Sequence, residues 1–145
     1  MKLSQHIIAF FMGYFLYCLF EIDTRGYTHW TMALTGGLAM TVLYALNSRE
    51  GMTLMKSCFL GALIITAMEF AVGVFDNIIM RWDVWDYSDM PFNIMGQICL
   101  PFSFAWALMC IPAFYLCRMI RLRFSTQNPC SFSSRTISTK NSRTS

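Results

Sequence analysis

Glu69 is the residue whose type and position most demand a chemical explanation. It stands thirteenth in the 19 residues, Ser57 to Phe75, that separate Lys56 from Asp76, and no other formal charge falls in that run. About 10 Å of helix separates it from the nearer end of the run. A carboxylate so deep in hydrocarbon costs on the order of 2.5 kcal/mol or more unless it faces a cavity, a partner or a proton. On a helix, Ala62, Thr66, Glu69, Gly73 and Asp76 fall along one small, polar stripe, while Leu63, Ile64, Phe70 and Phe75 decorate other faces. Glu69 is therefore expected to point into a bundle. It could serve an ion, a proton or a cationic substrate, or it could hold helices together through hydrogen bonds.

A second constellation runs from Trp85 through Asp86, Tyr87, Ser88, Asp89, Met90, Pro91 and Phe92 to Asn93, Gly96 and Gln97. Ser88 or Asp89 is suited to cap a helix, with Pro91 in its first turn. Asn93 and Gln97, four apart, would then share one helical face. Pro101, four residues beyond Gln97, would free the Gln97 carbonyl and kink that helix. Together with Thr66 and Glu69 these groups could form the polar lining of a solute site. A tolerated proline hinge explains the same residues equally simply.

Other chemistries lack their residues. No G-x-x-x-x-G-K-[ST] is present, so the chain does not supply its own P-loop, and neither H-E-x-x-H nor G-x-S-x-G occurs. The six cysteines show no C-x-x-C pair and no spacing with histidine that suggests zinc. Cys18, Cys58, Cys99, Cys110 and Cys117 read as small apolar residues within or beside apolar runs. Asp83, Asp86 and Asp89 read as solvated loop acids. An enzyme, a metal site, a cofactor and a nucleic-acid partner are not expected.

The elements that position these residues follow from the composition. The chain has 145 residues, 56% hydrophobic and 13% charged, against about 25% charged in soluble domains. Four long gaps lie between the charges, and crossing about 30 Å of hydrocarbon takes about 20 helical residues. The spacing predicts an all-α, four-helix membrane domain over 1–124, with spans at about 3–20, 28–47, 57–76 and 92–117. The first run has bulky Tyr14, Tyr17 and Phe20 and no small-x-small site, so it reads as an uncleaved span. Small residues give the second helix a packing face at Ala33, Gly37 and Thr41, and the fourth one at Gly96, Ser103, Ala107 and Cys110.

Charge sign sorts the two sides. Nine Lys or Arg residues (Lys2, Arg49, Lys56, Arg118, Arg121, Arg123, Arg135, Lys140 and Arg143) fall on one side of a four-span arrangement, and Arg25 and Arg81 on the other. This bias predicts that both termini are cytoplasmic. Tyr27, Trp30, Trp82, Trp85 and Tyr87 would form an aromatic belt at the outer interface. Residues 125–145, with eleven Ser or Thr among 21, read as a disordered cytoplasmic tail.

Glu21 with Arg25 and Gly26, Thr35-Gly36-Gly37, Glu69-Phe70 with Gly73, and above all Trp85-Asp86-Tyr87-Ser88, Asn93, Gly96-Gln97-Ile98-Cys99-Leu100, Phe102-Ser103 and Trp106 carry a resemblance. Over about residues 10–117 the chain resembles a family of small bacterial integral membrane proteins, the ABC-transporter type IV or CmpB-like family. The tail does not resemble it. The resemblance implies a multi-pass protein of the bacterial cytoplasmic membrane, with Glu21, Arg25, Glu69, Trp85, Asp86, Tyr87, Ser88, Asn93, Gly96 and Cys99 as motif residues. It also implies a transport component whose ATPase, or other membrane subunit, is a separate chain. A homo-oligomer is compatible with it. The rival expectation is a non-transporting structural or partner-binding membrane subunit.

Overall fold

A computed structural model describes residues 2–49 and 51–126. The serine- and threonine-rich stretch from 127 onward lies outside the described residues, and so does the greater part of the expected tail. Four α-helices follow one another: α1 (Lys2–Arg25), α2 (Trp30–Asn47), α3 (Leu54–Gly73) and α4 (Leu100–Thr126). A π-helical turn, Val74–Ile79, extends α3. Two short strands, β1 (Asn93–Ile94) and β2 (Ile98–Cys99), pair antiparallel with Asn93 opposite Cys99.

The helices run alternately up and down. Tyr44 near the end of α2 donates to Gln5 near the start of α1, and Arg121 near the end of α4 donates to the Asn47 carbonyl at 2.7 Å. The start of α1, the α2–α3 connection and the end of α4 therefore share one end of the bundle. Arg49, Lys56, Arg118, Arg121 and Arg123 collect there by sequence position.

Three segments, Leu3–Arg25, Leu54–Ile79 and Leu100–Ser125, are long and apolar enough to cross a membrane by length and composition. The 18-residue α2 is not among them. Three threonines, two glycines and a terminal Asn47 dilute its apolar content, and its neighbours cover it. Ten of its residues are buried, from Thr31 to Leu46, whereas α1 and α4 expose Leu3, Phe11, Phe15, Leu19, Phe104 and Leu108. Thus α2 is the most buried of the four helices, with Trp30, Leu34 and Leu38 left on its one exposed stripe. It meets α1 backbone to backbone: a Cβ on Gly13 would lie 2.4 Å from the Gly36 carbonyl oxygen, and one on Gly36 would lie 2.4 Å from Tyr17 Cβ. Gly37 faces the Phe10 ring in the same seam.

The greatest departure from expectation lies in 80–99. The fourth helix starts at Leu100, so Ser88 and Asp89 cap nothing and Asn93 and Gln97 share no helical face. Turn chemistry outweighs the apolar run. Arg81, Asp83, Phe92 and Met95 take positive φ, and Asn93 Nδ2 donates to the Ser88 and Met90 carbonyls at 3.0 and 2.8 Å. Pro101 falls in the first turn of α4, where a missing N–H costs nothing. The Gln97 carbonyl is not freed by a kink; it accepts from the Trp85 indole N–H at 3.0 Å. The proline inside α4 is Pro112, which removes a bond to the Leu108 carbonyl.

Two clusters make the core. One centres on Met40, Leu43, Tyr44, Cys110, Phe114 and Cys117, and the other on Met32, Val84, Trp85, Tyr87 and Cys99. The second cluster corrects the aromatic-belt expectation. Trp85 and Tyr87 are buried, while Tyr27, Trp30 and Trp82 stay exposed.

Candidate functional site

Glu69 is 3% exposed and lies on the buried stripe of α3 with Ala62 and Gly73. Its Oε2 accepts from the Trp106 indole N–H of α4 at 2.8 Å, and its Oε1 accepts from the Tyr87 hydroxyl at 3.3 Å. Aromatic stacking sets both donors. Tyr17 of α1 stacks on Trp106 with centroids 6.0 Å apart, and Phe102 stacks on Tyr87 at 4.6 Å. Burial, followed by the adjacent Glu69 carboxylate, holds the Tyr87 phenol above its ordinary range. It therefore stays a donor throughout the physiological range.

A cavity of about 300 Å³ opens between the α1–α2 hairpin and the α3–α4 pair. Tyr17, Met32, Gly36, Glu69, Trp106 and Pro112 are among its lining residues. Its surface is nearly all apolar, and Glu69 is the acid in its wall. Of the four residues expected to line a solute site, Glu69 alone reaches this cavity. Thr66 donates to Ser103 Oγ at 3.2 Å and does not line the cavity. Gln97 is buried within the 80–99 segment and against Gly73, and Asn93 sits in the turn that begins β1.

Asn77, on the π-helical turn, organises that segment. Its Nδ2 donates to the Trp85 carbonyl at 2.9 Å and to Gln97 Oε1 at 2.8 Å, while its Oδ1 accepts from the Val84 N–H at 2.7 Å. Backbone bonds complete the fold, with the Tyr87 N–H donating to the Gly96 carbonyl at 2.8 Å. These bonds pair polar groups that the irregular backbone would otherwise leave buried and unsatisfied. The Trp85–Cys99 motif is thus one folded unit. Asp86 Oδ1 accepts from the Ser88 N–H and hydroxyl at 2.8 and 2.5 Å, which holds the Asp86 carboxyl below its usual range. Gly96 has a positive φ, and a Cβ there would lie 2.6 Å from Ser88 Oγ.

Two further acids are buried, the motif residue Glu21 and the stripe residue Asp76. Glu21 is 4% exposed; it accepts from Thr28 Oγ1 at 2.8 Å and pairs with Arg25 Nη1 at 3.5 Å. Arg25 Nη1 is buried and makes no hydrogen bond. Asp76 is fully buried, and its Oδ2 accepts from the Thr31 hydroxyl at 2.5 Å. By spacing Asp76 falls on the Glu69 stripe, although its charge also marks the end of the expected span. Among the described residues, no group of three or more His, Cys, Asp or Glu side chains could hold a metal ion.

Comparison with curated proteins and with solved structures gave no match. A family model described as "Putative ABC-transporter type IV", of the CmpB type, matches residues 6–138. With that match over most of its length and three helices apolar enough to cross a membrane, the chain is a membrane protein and belongs to the CmpB-type ABC-transporter family.

Proposed function

We propose that this protein is a permease-type component of a bacterial transport system, crossing the cytoplasmic membrane four times with both termini inside. One observation carries the reading: the Glu69 carboxyl stands in the wall of an otherwise apolar cavity between two helix pairs. An apolar chamber with a single acid suits a solute with an apolar body and one positive charge. Trp106 and Tyr87 would hold the acid until the solute's cation replaces one of their hydrogen bonds. The topology rests on the nine-to-two distribution of basic residues, with α2, the most buried helix, packed against the other three. Lacking a P-loop, the chain would draw on a separate ATPase or membrane subunit and carry out no enzymatic reaction itself.

A non-transporting, partner-binding subunit is the second reading. In its favour, both Glu69 oxygens already have donors within the fold.

The test uses tryptophan emission of the purified protein, because Trp106 touches both the acid and the cavity. Lipophilic cations, neutral amphiphiles and organic anions are added in turn. Only cations are expected to change the emission, and Glu69→Gln is expected to abolish the response while keeping the yield of folded protein. A response unchanged by Glu69→Gln, or none to any class, favours the structural reading. A reporter fused to the C-terminus and found outside the cell would overturn the four-span topology.

A further inference from the structure

At the end of the bundle where α1 leaves and α2 begins, His29, Thr31 and Asp76 form a short chain of polar groups. Asp76 sits on the π-helical turn with no exposure. Thr31 Oγ1 lies 2.5 Å from Asp76 Oδ2 and 2.7 Å from His29 Nδ1. Asp76 Oδ1 is buried and has no hydrogen-bond partner. His29 Nδ1 is 4.0 Å from Asp76 Oδ2, so the threonine hydroxyl is the nearer link. The His29 side chain is 28% exposed, beside Trp82 with ring centroids 5.1 Å apart. One end of the chain is sealed in protein and the other reaches the surface.

We propose that the Thr31 hydroxyl relays protons between the buried Asp76 carboxyl and the His29 imidazole, making Asp76 a proton-binding site that communicates with one face of the membrane. In the loaded state Asp76 Oδ2–H donates to Thr31 Oγ1, whose hydrogen points to His29 Nδ1. The Asp76 O–H and original Thr31 O–H bonds break as new Thr31 O–H and His29 Nδ1–H bonds form. A carboxylate and an imidazolium result. The imidazolium then releases its Nε2 proton to water, leaving His29 Nδ1–H donating to Thr31 and Thr31 to Asp76. Reloading runs the same steps in reverse, with water supplying the proton at Nε2. Both ends of the cycle use the same heavy-atom positions, so no rearrangement of the helices is needed.

Several observations favour this over a purely structural contact. A carboxyl placed only for stability would have both oxygens satisfied, because an unpaired buried acceptor costs about 1–3 kcal/mol. Both Glu69 oxygens accept hydrogen bonds, and the Glu21 oxygens have one hydrogen bond and one ion pair, whereas Asp76 Oδ1 has neither. Histidine is also the side chain whose ordinary range allows proton exchange near neutral pH. π-Turns occur frequently at functional sites, and this one carries Asp76. The other titratable or charged groups on the neighbouring stretches of chain are Tyr17, Cys18, Glu21, Asp23 and Arg25 on α1, Tyr27 in the α1–α2 connection, Glu69 two turns earlier on α3, Arg81, Asp83, Asp86, Tyr87 and Asp89 in the connecting segment, and Cys99 at the end of β2. The first half of α4 carries no formal charge. The inference stands apart from the transport reading, since it requires no solute and does not pass through the Glu69 cavity.

The test is infrared spectroscopy of the full chain in lipid nanodiscs, following carboxyl C=O absorption after a step between about pH 8 and about pH 5. A band is expected that changes with the step and is missing in Asp76→Asn. Thr31→Val is expected to slow its appearance about a hundredfold. Thr31→Ser should restore the native rate, and His29→Gln should slow it as Thr31→Val does. Circular dichroism verifies the fold of each variant. Should Thr31→Val fail to fold, Thr31→Ser and His29→Gln still decide the question. The relay is overturned if Asp76→Asn removes no changing band, if Thr31→Val or His29→Gln leaves the rate unchanged, or if Thr31→Ser is slow.

Discussion

The Trp106 indole N–H of α4 donates to Glu69 Oε2 of α3 at 2.8 Å, deep within the bundle. This bond links the two helices at the wall of the cavity, and Tyr17 stacks on the other face of the donor ring. It predicts an order of cost. Trp106→Phe leaves Glu69 Oε2 buried and unpaired, and should destabilise the detergent-solubilised protein by about 1–3 kcal/mol. Tyr87→Phe breaks a longer bond of 3.3 Å and should cost less. Thermal unfolding of both variants checks the ranking; equal losses would count against it.

The seam between α1 and α2 leaves no room for a side chain at Gly13. A Cβ there would meet the Gly36 carbonyl and Met40 Cβ, each at 2.4 Å, and a backbone carbonyl cannot move aside alone. Gly13→Ala should therefore force the helices apart and cost about 1–3 kcal/mol. Gly26, with no atom within 4 Å of its ideal Cβ but a positive φ, should lose less on the same change, about 1 kcal/mol of backbone strain. Parallel melting curves of the two variants separate close packing from conformation.

Asn77 makes three hydrogen bonds that shape the 80–99 segment. Asn77→Ala should cost about 3 kcal/mol, at roughly 1 kcal/mol for each bond. The loss should be local before it is global. Limited proteolysis should cut within 80–99 at protease levels that spare the native chain, and Trp85 emission should shift toward that of an exposed indole.

The link between Asp86 and Ser88 is pH-dependent with a definite sign. Asp86 is held below its ordinary value by the Ser88 hydroxyl and N–H. Its contribution to the turn is therefore present above the unfolded Asp value of about 3.9 and is lost as pH falls through the lower folded value. Ser88→Ala should move the Asp86 midpoint up toward the ordinary range in an NMR titration of its carboxyl carbon. An unmoved midpoint would mean that Ser88 does not set it. Asp86 is fully exposed, so global stability should hardly register the change.

Much of the helical frame was legible because charge and hydrophobic length constrain it strongly. Glu69 was identifiable as an acid inside an apolar run, and its stripe with Ala62 and Gly73 follows from helical spacing. Asp76 lies on that same stripe but also closes a gap between charges, and it was read as a boundary. The 90–117 run contains no charge, so nothing in hydropathy marked Leu100 as the helix start. The left-handed conformations of Phe92 and Met95 belong to a turn held by the Asn93 and Gln97 side chains, which no preference of Phe92 or Met95 themselves announces. Trp85 and Tyr87 were misplaced for a related reason. An aromatic residue near a span end satisfies a belt and a core equally well until the chain around it is folded.

The burial of α2 against its neighbours bears on biogenesis. Its hydropathy is marginal for lateral release into lipid on its own, and its threonines answer the problem only in part. Thr35 and Thr41 donate back to the carbonyls of Thr31 and Gly37 at 2.7 and 2.9 Å, which hides their hydroxyls, while the two glycines offer lipid little to grip. On the four-span reading, α2 should therefore leave the translocon as one arm of a hairpin with α1. Weakening the Gly13–Gly36 seam would then first appear as misinserted chains.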